Sequence, residues 1–306
     1  MTEPETPILF HYPMSPYSEK LRLALGIYRR QWLSFEVAAF PPRPLLNRLT
    51  GGYRRIPVLQ LGAHLYCDSR LAIRALRSAA PRYRNGLSED QALCRTAEEV
   101  IFFSVIASAP PRGVIWHLMK EVGIISLPGF LRDRATMMTQ ATVKPPSRAH
   151  ARDQIQRFTA ELAQRLDSQD FLDGSEVGLT DLCCYHPLWM AAKLNKSFVE
   201  TLPDFVSQWM ARIRQFGHGT PSIASESLVR AAIDRDRQEV SAQRIEVMPF
   251  ERYQTIEVAP SDYARDTVQG QLINLDSREI IILWPFEETG RLYLHFPREG
   301  FDVRAA

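Results

Sequence analysis

The chain has 306 residues, 45% of them hydrophobic and 24% charged, proportions typical of a folded globular protein with two or three domains. Its formal net charge is +2, and its basic residues are scattered along the chain, which argues against nucleic acid or an acidic membrane surface as a partner. Because no run approaches the roughly 18 apolar residues of a membrane span and the N-terminus has no apolar signal segment, we expect a cytoplasmic protein without a membrane contact.

The stretch Pro7–Arg30 predicts a strand, a turn and a helix. The apolar run Ile8–Phe10 is typical of a short buried strand, and apolar residues recur at helical spacing after Pro16. Ser15 stands at the N-cap position, and Pro16 suits the first helical position because it has no N–H group to leave unpaired. The unpaired N–H groups and the positive end of the helix dipole near Ser15 could hold a thiolate or a carboxylate.

This turn resembles two related families. Ser15-Pro16-Tyr17-Ser18 is similar to the Cys-Pro-Tyr-Cys of glutaredoxins with both cysteines replaced by serine. Together with the following Lys20–Leu25, it resembles the start of serine-type glutathione transferases. The resemblance implies a thioredoxin-like domain in which a serine hydroxyl stabilises a bound thiolate without forming a mixed disulfide. The alternative is that Ser15 is only a helix cap.

A proline opens the next strand region. Tyr53–Leu61 and His64–Cys67 predict a hairpin interrupted at its entrance by Pro57. In the thioredoxin-like fold this position is a cis-proline, and the resemblance implies that the backbone of Ile56, with Arg55 beside it, binds the peptide part of glutathione. An ordinary trans-proline at an edge strand is the alternative.

Two polar residues precede the second helix. Asp68-Ser69 leads into a predicted helix over Arg70–Leu76. The pair resembles the acidic residue and serine of glutathione transferases, which implies that Ser69 binds the γ-glutamyl carboxylate and Asp68 lies toward the ammonium group. An ordinary Asp-Ser helix cap is the alternative.

The composition changes after Pro81, and helical periodicity continues from Leu87 to about Gln238. We therefore expect an all-helical bundle domain, which by the resemblance carries an apolar pocket for an electrophile. Within it, Asp181 occupies the N3 position of a capping box whose N-cap is Gly178, and we interpret Asp181 as structural.

Beyond residue 246 the periodicity changes to that of strands. The four β-rich runs predict a small antiparallel meander that packs on the other domains, because a few short strands are marginally stable alone. They are Thr255–Val258, Gln271–Leu275, Glu279–Trp284 and Arg291–Phe296. The motif His295–Gly300 resembles an extension found on some fungal and bacterial transferase-like proteins.

Other chemistry has little support in the sequence. The four cysteines lack paired spacing, and the seven histidines form no metal-ligand pattern, so we expect no disulfide framework and no metal. Motifs for a serine triad or a nucleotide site are also missing from the sequence.

The prediction is an α/β thioredoxin-like domain (1–82), an all-α bundle (87–240) and a β extension (245–306). We expect a glutathione transferase that attacks a small apolar electrophile, with Ser15 activating the thiol and Tyr12 as the second candidate. The predicted glutathione-binding residues are Ser15, Arg55, Ile56, Pro57, Asp68 and Ser69. The alternative is a non-catalytic glutathione-binding or scaffold protein, and the family resemblance implies a homodimer.

Overall fold

The computed structural model describes residues 5–78, 89–235, 250–286 and 290–306, and its centre is one ten-stranded sheet. The strands are β1 (Ile8–His11), β2 (Gln31–Glu36), β3 (Val58–Leu61), β4 (His64–Tyr66), β5 (Thr220–Ile223), β6 (Thr255–Pro260), β7 (Val268–Leu275), β8 (Glu279–Phe286), β9 (Gly290–Pro297) and β10 (Phe301–Ala305). Their order across the sheet is β10-β6-β7-β8-β9-β4-β3-β1-β2-β5. The expected boundaries at 82–87 and 240–245 lie outside the described residues.

Helices cover the sheet and form the second domain. They are α1 (Pro16–Ile27), α2 (Pro44–Thr50), α3 (Ser69–Ser78), α4 (Gln91–Arg95), α5 (Phe102–Ser108), α6 (Pro111–Val122), α7 (Leu127–Met138), α8 (Arg148–Leu166), α9 (Leu179–Leu194), α10 (Asp204–Gln215) and α11 (Glu226–Arg235). A π-helical turn over Thr96–Ile101 joins α4 to α5, and a 3₁₀ segment, Lys196–Thr201, follows α9.

The N-terminal unit has the predicted thioredoxin-like arrangement. Strand β1 pairs in parallel with β2 and antiparallel with β3, which continues antiparallel into β4. Helix α1 packs between this sheet and the bundle, and this packing buries its apolar residues, among them Leu21 and Leu25. This arrangement confirms the α/β fold expected from the strand–turn–helix pattern.

The helical domain is also confirmed, and its core forms around α9. The carboxylate of Asp181 accepts hydrogen bonds from the N–H groups of Gly178 and Leu172, each at 2.8 Å, and from Trp209 Nε1 at 2.7 Å. Asp181 and Trp209 are both fully buried, so the capping residue also ties α9 to α10. Among the described residues no single helix is long and apolar enough to cross a membrane; α6 and α7 together, bent by 112°, meet the length and composition criteria.

The expectation that residues 87–238 form only successive helical segments is wrong at one point. Residues Thr220–Ile223 form β5, which pairs in parallel with β2 at the edge of the sheet. The chain reaches that edge through Gly217 and Gly219, which both have positive φ. It also passes so close to α1 that a Cβ on Gly26 would lie 2.1 Å from the Gly217 carbonyl oxygen. Backbone pairing therefore forms a strand that side-chain periodicity did not predict.

The C-terminal meander is confirmed, and it is continuous with the thioredoxin-like sheet. Strands β6 to β9 pair antiparallel in succession, and β10, which we did not predict, pairs with β6. Strand β9 pairs in parallel with β4, with Leu294 opposite Leu65. The extension therefore covers an edge of the N-terminal sheet and brings its own loops beside the turns that precede β3 and α3.

Candidate active site at the junction of three units

The turn before α1 has the geometry that the sequence predicts. The Ser15 hydroxyl oxygen accepts a hydrogen bond from the Ser18 N–H at 3.2 Å, and the Ser15 N–H donates to the Tyr12 carbonyl at 3.2 Å. Ser15 is the N-cap of α1 and Pro16 is its first residue. Only 1% of the Ser15 surface is exposed, so the cap is enclosed by the surrounding structure.

Arg22 holds this turn from behind. Its Nη2 donates to the Pro13 carbonyl at 2.9 Å, and its Nη1 lies 3.5 Å from the Tyr12 carbonyl and 3.1 Å from His11 Nδ1. The Glu19 carboxylate pairs with the same guanidinium at 2.7 Å. A planar group with five donors can satisfy several carbonyl oxygens at once. The sequence analysis did not predict this support. The feature that could have indicated it is the basic residue Arg22 among the apolar residues of the predicted helix.

His11 is part of the same support. Burial, with the charge of Arg22 adding to it, lowers the pKa of His11 to about 4. Because Arg22 can only donate to Nδ1, the neutral ring carries its proton on Nε2, which donates to Ser34 Oγ at 2.8 Å. A neutral imidazole beside a guanidinium avoids a second positive charge under the turn.

The second predicted component lies where β3 begins. The Ile56–Pro57 peptide bond is cis, as the thioredoxin resemblance implies. At the nearby end of β4, Asp68 Oδ1 accepts hydrogen bonds from the Arg70 N–H at 2.8 Å and the Leu71 N–H at 3.0 Å. Asp68 is thus the cap of α3, and Ser69 is the first residue of that helix.

A cavity of about 80 Å³ lies between these turns. Five of the predicted glutathione-binding residues line it: Arg55, Ile56, Pro57, Asp68 and Ser69. The other two predicted residues, Ser15 and Tyr12, do not line it; Tyr17, which follows them in the same turn, does. The Tyr17 hydroxyl donates to the Glu98 carbonyl at 3.2 Å.

The C-terminal extension forms another wall of the cavity. It contributes Asp262, Tyr263, Pro297, Glu299, Gly300 and Phe301. Arg55 forms an ion pair with Asp262, donates to the Tyr263 carbonyl, and lies with its guanidinium carbon 4.1 Å from the centre of the Tyr263 ring. The Arg55 Nε atom is buried and has no hydrogen-bond partner among the described residues. Sequence reasoning missed this wall because more than 200 positions separate Arg55 from Asp262.

The π-helical turn contributes a mostly buried carboxylate, whose side chain is 11% exposed. Glu98 forms ion pairs with Lys20 of α1 and, at 3.1 Å, with Arg70 of α3. Desolvation opposes the charge on Glu98, but Lys20 and Arg70 outweigh it and lower the Glu98 pKa. Its neighbour Glu99 also lines the cavity, and there burial raises the pKa of the carboxyl. A π-turn in a helix often marks a functional site, and this one links the bundle to the N-terminal unit.

The comparisons with known proteins match both of the first two units. The glutathione S-transferase N-terminal domain model matches residues 9–84, and the glutathione S-transferase C-terminal domain model matches residues 125–215. A search of curated proteins found no significant match.

Solved structures agree with this assignment. A GST-like protein from Pseudomonas syringae is similar with a TM-score of 0.74 and 27% identity, over 98% of this chain and 99% of that chain, so the similarity includes the C-terminal extension. A glutathione transferase from Phanerochaete chrysosporium has a TM-score of 0.53 and 15% identity over 70% of this chain and 98% of that chain, a likeness of fold alone. With both family domains present in order, the chain belongs to the glutathione S-transferase-like family.

Proposed function

We propose that the protein binds glutathione in this cavity and activates its thiol for attack on a small apolar electrophile. The observation that carries the proposal is the convergence of the cis Ile56–Pro57 turn and the Asp68-Ser69 helix start on one cavity. The backbone of Ile56 would pair with the peptide part of glutathione. Ser69 would bind the γ-glutamyl carboxylate, and Asp68 would face the ammonium group.

Arg55 suits the remaining charge of the ligand. Its guanidinium is held by Asp262, yet no described residue accepts a hydrogen bond from its buried Nε. A buried donor in that state gains a hydrogen bond when a ligand oxygen reaches it. We propose that a glutathione oxygen occupies this position.

Thiol activation is proposed for the N-terminus of α1. A free thiol has a pKa of about 8.5, so only about 3% is thiolate at pH 7, and a pKa lower by about 2 units makes about three quarters of it thiolate. The Ser15 hydroxyl still has its own proton to donate while its oxygen caps the helix, and the helix dipole favours the anion. Tyr12, whose backbone carbonyl accepts a hydrogen bond from the Ser15 N–H, is the second candidate donor.

The chemistry needs no resident cofactor in this scheme. The thiol proton leaves to solvent, and the thiolate sulfur forms a bond to the electrophilic carbon. With an aryl chloride, the carbon–chlorine bond then breaks and chloride leaves with the electron pair. The acceptor would lie against apolar side chains of the bundle. Tyr17 of α1 and Phe102 of α5, whose ring centres are 5.0 Å apart, lie where α1 meets the bundle.

The cavity must widen to admit the ligand. Its volume of about 80 Å³ equals that of two or three water molecules at about 30 Å³ each, far less than a tripeptide. The extension holds one wall through side-chain ion pairs such as Arg55–Asp262, and a ligand carboxylate could replace Asp262 there. We propose that the cavity widens by movement of the extension's loop at the Arg55–Asp262 ion pair.

Two further properties follow from the family resemblance and are proposed with it. The chain would act as a homodimer, which light scattering in solution tests. The described cysteines are Cys67, Cys94, Cys183 and Cys184, and all are buried and free, which is compatible with the reducing cytoplasm that we propose as its location.

Calorimetric titration with glutathione, followed by a conjugation assay with chlorodinitrobenzene, tests the proposed function. We expect saturable binding and a rate that depends on both substrates. Oxidised glutathione disulfide in place of glutathione serves as the control for the assay because it has no free thiol. Absence of binding at millimolar glutathione would contradict the proposal, whereas binding without conjugation of any acceptor would favour a non-catalytic role.

A further inference from the structure

The extension brings one side chain with a free hydroxyl to the site. Tyr263 is half-buried, lines the cavity and follows Asp262 in the loop between β6 and β7. Its backbone carbonyl accepts from Arg55, but its phenol forms no hydrogen bond with any residue that the structure describes.

The Tyr263 ring is held from two sides. Arg55 lies over the ring, 4.1 Å from its centre, and Phe103 of α5 meets it edge to face with ring centres 5.6 Å apart at 89°. A guanidinium on the face of an aromatic ring and a perpendicular aromatic neighbour are both favourable arrangements. The ring is therefore positioned although its hydroxyl has no hydrogen-bond partner in the described part of the chain.

Tyr263 and Tyr17, the second residue of α1, both line the cavity. Phe103 and Phe102 connect their rings, with successive centre-to-centre distances of 5.6, 5.2 and 5.0 Å from Tyr263 to Tyr17. In keeping with this arrangement, Tyr263 adds to the raised pKa of Tyr17. Tyr12 and Tyr17 flank Ser15 in the turn where the sulfur of glutathione is proposed to bind. The charged and titratable groups around the Tyr263 phenol are Arg55, Asp262, Arg134, Tyr12 and Tyr17.

We propose that Tyr263 is a further ligand-contacting residue of this site, and that its phenol donates a hydrogen bond to the sulfur of bound glutathione. This inference rests on the proposed glutathione site. The thiol proton leaves to solvent, while the phenol keeps its own proton and donates it without transfer. Burial raises the pKa of Tyr263, so the phenol remains protonated near neutral pH. The thiolate would thus be held between the N-terminus of α1, whose Tyr17 lines the cavity, and a tyrosine from the extension.

The test substitutes Tyr263→Phe, which keeps the ring between Arg55 and Phe103 and removes only the hydroxyl. Tyr253→Phe is the matched control because Tyr253 belongs to the same extension, is 53% exposed and does not line the cavity. The pKa of the bound thiol is followed by its ultraviolet thiolate absorbance, and glutathione affinity by calorimetry.

In Tyr263→Phe we expect the pKa of the bound thiol to rise by about one unit, and kcat at pH 7 to fall about threefold because the thiolate fraction drops from about three quarters to about one quarter. The dissociation constant of glutathione should change less than about threefold, and the rate should recover at alkaline pH. A merely structural loss would lower the rate at every pH and would contradict the inference.

An unchanged thiol pKa in a variant that still binds glutathione overturns the role of Tyr263 and leaves the proposed function intact. If the wild-type protein itself binds no glutathione, the proposed function and this inference both fail. Equal losses in Tyr263→Phe and Tyr253→Phe would also contradict the inference, because Tyr263 lines the cavity and Tyr253 does not.

Discussion

His64 Nδ1 lies 2.8 Å from His295 Nε2, across the parallel pairing of β4 with β9. On its other side His295 contacts the Glu279 carboxylate of β8, and its ring stacks on Tyr66 with centres 4.4 Å apart. The contact of the Glu279 carboxylate with Nδ1 of His295 orients the imidazole ring so that its Nε2 points to His64. The chain Glu279–His295–His64 therefore joins the extension to the thioredoxin-like sheet by side chains as well as by backbone.

This junction predicts that the extension contributes to the stability of the whole molecule. Leu294 of β9 is fully buried and lies opposite Leu65 of β4. Leu294→Ala should lower the free energy of unfolding by about 2–5 kcal/mol. Leu228→Ala, at a position 40% exposed, is the control and should have little effect. If thermal unfolding of Leu294→Ala leaves the main transition unchanged, the extension is an independent unit.

Ser69 provides a direct test of ligand binding. Ser69→Ala removes a hydroxyl expected to bond the γ-glutamyl carboxylate, a charge-assisted contact of about 1.5–3 kcal/mol. Calorimetry should find glutathione affinity reduced about tenfold or more. Ser78→Ala at the exposed end of the same helix should bind like the wild type. Equal dissociation constants for all three proteins would remove Ser69 from the site.

Ser15 should act on rate more than on affinity. In Ser15→Ala the helix loses a cap, at about 1 kcal/mol, and the thiolate loses a donor. We expect kcat to fall about 10–100-fold near neutral pH and to recover partly at alkaline pH. Tyr12→Phe is the companion variant. A normal pH–rate profile in Ser15→Ala combined with an inactive Tyr12→Phe would transfer the role to Tyr12.

Asp262 should oppose binding of glutathione, whose net charge is negative. The Asp262 carboxylate pairs with Arg55 and adds negative charge to the cavity, so Asp262→Asn frees the guanidinium for a ligand carboxylate. Affinity should rise about three- to tenfold at low salt, and less at high salt because charge interactions are screened. Asp266→Asn in the same loop, whose partner is Arg54 at 3.6 Å, is the control. Weaker binding in Asp262→Asn would mean that the ion pair positions Arg55 for the ligand.

Stability should depend on pH through His11. Its pKa falls from an ordinary 6.5 to about 4 in the folded protein, first through burial and then through Arg22. The unfolded chain therefore binds the extra proton first, so this contribution is present above pH 6.5 and is lost as the pH falls toward 4. Its size is about 3 kcal/mol.

Denaturant unfolding measured between pH 7 and pH 4 tests this prediction. His11→Asn should be less stable at pH 7 but should lose much of the wild-type dependence on pH in that interval. His150→Asn, at an exposed position of α8, should keep the wild-type slope. An unchanged slope in His11→Asn would assign the pH dependence to other groups.

Local sequence signals determined most of the fold. The cap Ser15-Pro16 and the start of α3 at Asp68-Ser69 are each specified within a few residues, because helix capping depends on neighbours in the chain. The cis bond at Ile56–Pro57 was instead expected from the family resemblance. Apolar periodicity likewise predicted the helical bundle and the meander of the extension. Five of the binding residues expected from the family resemblance lie around one cavity.

Only the tertiary structure decided how these parts meet. The pairing of β9 with β4, the strand β5 on the opposite edge, and the contact of Arg55 with Asp262 and Tyr263 join residues far apart in sequence. Backbone hydrogen bonds at a sheet edge form with almost any side chain on the incoming strand. The periodicity of a sequence therefore does not indicate which strand will pair at that edge. The sequence by itself thus indicated the turns of the proposed glutathione site, whereas the wall that encloses them depends on long-range pairing of the C-terminal extension.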